Sequence, residues 1–195
     1  MKEEAEKVAA SAREVAESIF GVSDVEIIVE VNPEFVIPQT GAGGFTPSSH
    51  SVFIYIDPEN INLQQNLERE IRSTVTHEYH HAVRNRAINW EKDSLLGAMI
   101  TEGLADHFDI EVNGGGPRPW SVALSGMQLE EFEIRARPIF DSRDSNNNAW
   151  LLGSETEGLP KWGGYSLGFK LVGDYLTKTG KKTYQLVAEP PTIFI

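Results

Sequence analysis

The chain has 195 residues, no cysteine, and 17 Lys+Arg against 29 Asp+Glu, for a formal net charge of −12. That length suits one compact domain or two small lobes sharing a core. Absent cysteine excludes disulfides, thiolate nucleophiles and cysteine-held metals, so any metal must be bound by histidine and carboxylate. The densest basic run is the three lysines in residues 178–182, too few for a phosphate-binding surface, which argues against a nucleic-acid partner.

The N-terminus, Met1-Lys2-Glu3-Glu4-Ala5-Glu6-Lys7, is charged where a secretory leader would turn apolar, and no window approaches the roughly 20 apolar residues of a membrane span. A cytoplasmic location without membrane attachment is expected. Val8, Ala12, Val15, Ile19 and Phe20 recur at helical spacing before Gly21, which predicts a first amphipathic helix. Residues 25–31 alternate as a half-buried strand ended by Asn32-Pro33. A glycine-rich turn at 41–45 precedes a second strand at 51–56, closed by Asp57-Pro58. From Leu63 the pattern is helical without Gly or Pro until Gly97, and residues 66–89 are the richest in histidine. Further helices are expected at 94–112, 128–139 and 164–179, with a long polar surface loop at 141–161.

The chemistry concentrates in Thr76-His77-Glu78-Tyr79-His80-His81. Residues four apart on a helix lie one above the other, so His77 and His81 can reach one ion. Glu78, about 100° round the helix, is near that ion without needing to ligate it, a position suited to a general base. His80 is three residues after His77 and is the alternative ligand to His81; otherwise it supports the pair from behind or packs in the core. Two imidazoles do not complete a catalytic zinc site, which takes three protein ligands. A metzincin pattern would need Gly at 84 and His at 87, where this chain has Arg84 and Ala87, and peptide deformylase chemistry needs a cysteine. The next helix offers Glu102-Gly103-Leu104-Ala105-Asp106, with both carboxylates on one face. Glu102 can complete a His2Glu set, and Asp106 can accept the free ring N–H of a ligand histidine. Arg84 returns to nearly the face of His77 and is expected to pair with a carboxylate or to be a surface arginine. His107 points away from Glu102, and His50 either reaches substrate or is simply exposed.

These residues resemble the gluzincin metallopeptidases. More narrowly, His77-Glu78-Tyr79-His80-His81-x-x-Arg84, Glu102-Gly103-Leu104-Ala105 and Gly164-Tyr165-x-x-Gly168 look like a family of predicted bacterial Zn-dependent proteases, over about residues 50–180. The resemblance implies His77, His81 and Glu102 as Zn2+ ligands and Glu78 as the base that later returns its proton to the leaving amine. It also suggests Tyr165 as an oxyanion donor, against the alternative of a phenol packed in the core. Peptidases of this class commonly add the substrate strand to an exposed sheet edge. Residues 52–56, with Phe53, Ile54 and Tyr55, are the expected edge, unless that strand is purely structural.

The expected architecture is a single α+β, zincin-like domain over residues 1–195. A small N-terminal sheet with the active-site helix occupies about 1–92, a mainly helical lobe about 93–195, and the metal lies between them. The expected function is zinc-dependent peptide hydrolysis acting on a peptide or protein. The alternatives are a metal-binding regulatory protein on an inactive protease scaffold and a non-peptide amide hydrolase. The acidic balance further favours basic or neutral peptides over acidic ones. Oligomeric state is not encoded in these patterns.

Overall fold

The structure, a computed structural model, describes residues 1–88, 94–143 and 146–195. The fold is α+β, a small three-stranded sheet with a mostly helical body, and the chain divides into two compact units, Met1–Arg86 and Ala87–Ile195. The expected lobe boundary at 92/93 lies outside the described residues.

In the first unit, α1 (Lys2–Phe20) ends at Gly21, whose left-handed φ of 69° lets its N–H reach the Glu17 carbonyl. Its buried face is Ala5, Ala9, Ala12 and Ala16, while Val15 is exposed. The apolar spacing identified the helix but not this face, because alanines let the helix lie close against β1 (Glu26–Val31). A 3-10 turn at Pro33–Phe35 follows. The glycine-rich segment expected as a turn is instead a strand, β2 (Ala42–Ser48), antiparallel to β3 (Ser51–Ile56). Strand order is β1-β3-β2, with β1 parallel to β3.

This order corrects the expected substrate edge. β3 is the central strand, its backbone shared between β1 and β2, so Phe53, Ile54 and Tyr55 have no open edge to offer. Val52, Ile54 and Ile56 are fully buried, and Phe53 and Tyr55 stack on the opposite sheet face. The two edge strands are β1 and, on the other side of β3, β2. Tight packing explains the glycines of β2: a Cβ on Gly43 would meet the Phe35 carbonyl oxygen at 2.1 Å.

Helix α2 (Ile61–Ala87) is interrupted by non-helical backbone at Asn66 (φ −135°), whose side-chain amide donates to the Asn62 carbonyl. The longer piece beyond Asn66 buries Ile71, Val75, Tyr79, Ala82 and Val83 at helical spacing.

In the second unit, α3 (Leu95–Asn113) starts at Ser94, whose Oγ accepts the Gly97 N–H, and α4 (Gly126–Ala136) runs into a 3-10 turn at Arg137–Ile139 that contains Pro138. The segment expected as a long surface loop contains α5 (Asn147–Leu152) and contributes Ala149 and Leu159 to the core. Its polar residues face water while these few apolar ones anchor it; residues 144 and 145 lie outside the described set. Helix α6 (Gly163–Thr179) crosses α3 at glycines. A Cβ on Gly103 would come 2.3 Å from the Gly168 carbonyl oxygen, and one on Gly168 would come 1.9 Å from that of Met99. Leu96, Met99, Ile100, Leu104, Leu167 and Val172 fill the core around this crossing. Among the described residues no helix is long and apolar enough to cross a membrane.

Candidate metal centre

Helical periodicity sorts the residues of the histidine segment. Tyr79 points inward, fully buried; its hydroxyl donates to the Val22 carbonyl and its ring stacks on Phe20. Burial, reinforced by the Glu17 charge, pushes the Tyr79 phenol up to about 12, so it stays a neutral donor. His80, also fully buried, packs edge-on against Phe20 at 6.0 Å. Arg84 is almost wholly buried, which removes the surface-arginine alternative.

His77 and His81 lie half-buried on another side of α2, with rings 4.6 Å apart and nearly perpendicular. Their Nε2 atoms are 2.9 Å from each other. Two imidazoles at that spacing share a hydrogen bond or turn two lone pairs toward one cation.

Glu78 is buried, and β2 shapes its surroundings. The Thr46 hydroxyl donates to Glu78 Oε2 at 2.6 Å and lies 3.1 Å from the Glu78 carbonyl oxygen. Gly44 faces the same carboxylate so closely that a Cβ would fall 2.3 Å from Glu78 Cγ and 2.5 Å from Oε1. The contacts of Thr46 and Gly44 with Glu78 were not indicated by the sequence. Gly44 fell within the glycine-rich turn expected at 41–45, and Thr46 follows that turn directly.

On α3, Glu102 is half-buried and Asp106 is buried. The Asp106 carboxylate accepts from Trp120 Nε1 at 3.1 Å and from the Ser121 hydroxyl at 2.6 Å, partners that the sequence did not indicate. Ser166 on α6 ties down the same loop, donating to the Trp120 carbonyl and accepting the Leu124 N–H. His107 stacks on Phe169 at 3.9 Å with Nε2 2.9 Å from the Phe169 carbonyl oxygen. Burial holds its imidazole below the ordinary value, partly offset by that carbonyl and by the charges of Asp106 and Glu111. Tyr165 is half-buried in the first turn of α6. His50 is exposed in a cluster with Asp24 and Arg86.

One donor atom from each of His77, His81 and Glu102 lies within 4.8 Å of the others, a set of two imidazoles and a carboxylate suited to a metal ion. Residues 2–195 match a protein family described as "predicted Zn-dependent protease" (DUF2268). The chain belongs to this family. Membership in the predicted Zn-dependent proteases carries a predicted zinc dependence. Two relatives from Bacillus subtilis are similar to it. The uncharacterized protein YjaZ is 31% identical over 131 residues, 64% of this chain and 49% of its own length. The uncharacterized protein YjfC is 25% identical over 156 residues, 72% of this chain and 49% of its own length. The chain thus spans about half the length of these relatives. No solved structure matches it.

Proposed function

We propose that this family member is a gluzincin-type peptidase of zincin-like fold, with zinc held by His77, His81 and Glu102. The observation that carries this reading is the convergence of those three donors, with the buried Glu78 carboxylate next to His77 in the chain. When bound, zinc supplies Lewis-acid polarisation of the scissile carbonyl and acidifies a water molecule. Glu78 removes a proton from the attacking water as the water oxygen bonds to the carbonyl carbon. The same carboxyl then delivers the proton to the amide nitrogen as the C–N bond breaks, which releases an amine and a carboxylate. The Tyr165 hydroxyl donates to the carbonyl oxygen while it bears negative charge. His80 and Arg84 keep the histidine helix in place through their buried side chains, and Asp106 orients a ligand imidazole.

Substrate pairing belongs to β2 in this reading. Gly41 accepts from the Asp57 N–H, and the antiparallel alternation then turns the N–H and C=O of Ala42 and Gly44 away from β3. The Ala42 carbonyl already accepts from Ile37, which leaves Gly44, in contact with Glu78, to pair with an extended peptide.

Zinc stoichiometry by elemental analysis, together with hydrolysis of a diverse peptide library, tests the proposal. Wild type should bind one zinc and cleave peptides. Glu78→Gln should bind zinc equally but lose about 100-fold or more in kcat, the usual share of a general base. Wild type without zinc at micromolar concentrations would sink the reading, and full loading without cleavage would make this a binding protein on a protease scaffold.

A further inference from the structure

Among the described residues, the hydrogen bond from Thr46 is the one that the Glu78 carboxylate accepts. Both partners are buried, Thr46 at 7% and Glu78 at 8% exposure, so water competes poorly for either group. The 2.6 Å contact falls in the range of charge-assisted O–H···O⁻ bonds, about 2.5–2.7 Å, and is shorter than the 3.1 Å contact to the Glu78 carbonyl. A hydroxyl has one proton, and this geometry commits it to Oε2. Oε1 lies on the other side, against Gly44, where the absent Cβ leaves room.

We infer that Thr46 is a positioning residue for Glu78: its hydroxyl fixes Oε2 and thereby assigns Oε1 as the oxygen that takes and returns the proton. The inference rests on the reading of Glu78 as the base. A free carboxylate would rotate about its last torsion and present either oxygen; the bond from β2 removes that freedom. The hydroxyl can keep donating to Oε2 after Oε1 has gained its proton, so the carboxyl stays aligned through both halves of the reaction.

The test compares wild type, Thr46→Val, Thr46→Ser and Glu78→Gln, each loaded with zinc. Thr46→Val should lower kcat ~10- to 100-fold with KM within about 2-fold, and Thr46→Ser should restore kcat to within about 3-fold. Zinc affinity, from competition with a chromophoric chelator, should stay within about 2-fold of wild type in all four, since the Thr46 hydroxyl bonds to Glu78 and neither substituted residue is a proposed ligand. Crystal structures should show the Glu78 carboxylate rotated in Thr46→Val and native in Thr46→Ser. A Thr46→Val kcat equal to wild type, with Glu78→Gln inactive, would overturn the inference and leave the peptidase reading intact. Loss in Thr46→Ser equal to that in Thr46→Val would also overturn it, since the methyl group rather than the hydroxyl would then matter. If wild type hydrolyses nothing, the peptidase reading fails and the crystallographic comparison still decides whether Thr46 orients Glu78. If Thr46→Val does not fold, Thr46→Ala takes its place with the same criteria.

Discussion

At the scale of single residues, the histidine segment shows how one helix gives neighbouring side chains different work. Tyr79 and His80 face the core, His77 and His81 share a side, and Glu78 meets β2. The shared side of His77 and His81 and the separate bearing of Glu78 follow from 3.6 residues per turn and were legible without coordinates. The partners of each side chain were not: Thr46 lies 32 residues from Glu78 and Ser121 lies 15 from Asp106. His107 supports a prediction of its own. Its folded pKa lies below the unfolded value of 6.5, so near and below that pH the unfolded chain binds more protons than the folded one. Its contribution to stability is complete above about 6.5 and is lost as pH falls from there toward the folded value. Urea denaturation at pH 7.5 and 5.5 should therefore show a smaller acid-side loss in His107→Gln than in wild type. An identical pH dependence in the two proteins would exclude this role.

Among the elements, two glycine-rich motifs have one structural cause. Gly103, beside Glu102, and Gly168, in the same motif as Tyr165, form the α3–α6 crossing, where either Cβ would collide with backbone. The crossing therefore fixes the helices that present Glu102 and Tyr165, and the motif glycines serve packing rather than chemistry. Gly168→Ala should cost about 2 kcal/mol or more by forcing the helices apart. Gly116→Ala, where a Cβ meets nothing within 4 Å, should be close to neutral. Equal midpoints for both variants in thermal unfolding would contradict the packing argument. The sheet carries the matching lesson. Alternating Val and Ile residues revealed β1 and β3, whereas β2 has Ala42-Gly43-Gly44 where a strand usually has β-branched or aromatic residues. Its glycines are there because Phe35 and Glu78 press against it, a tertiary demand that overrides strand propensity.

For the whole molecule, cysteine-free composition and the net charge of −12 set the terms: donors must be imidazole and carboxylate, and phosphate backbones are poor partners. Metal binding should couple to stability, because the donor set exists only when the chain is folded. Zinc at about 100 times its Kd should stabilise wild type by about 2.7 kcal/mol. His81→Ala should show no such gain in thermal unfolding with zinc against chelator, and an equal gain in both proteins would place the metal elsewhere. What the sequence determined by itself is local: the i,i+4 histidine pair, the adjacent glutamate, the carboxylates on the following helix, and most helix boundaries. These depend on spacing along one element, which periodicity records directly. Tertiary structure alone decided that β3 is central and β2 lies at an edge, that Thr46 and Gly44 enclose Glu78, that Asp106 holds Trp120 and Ser121, and that α3 and α6 meet at glycines. Each of those joins residues distant in the chain, through strand pairing, close backbone approach or a buried hydrogen bond, and none leaves a periodic trace in the sequence.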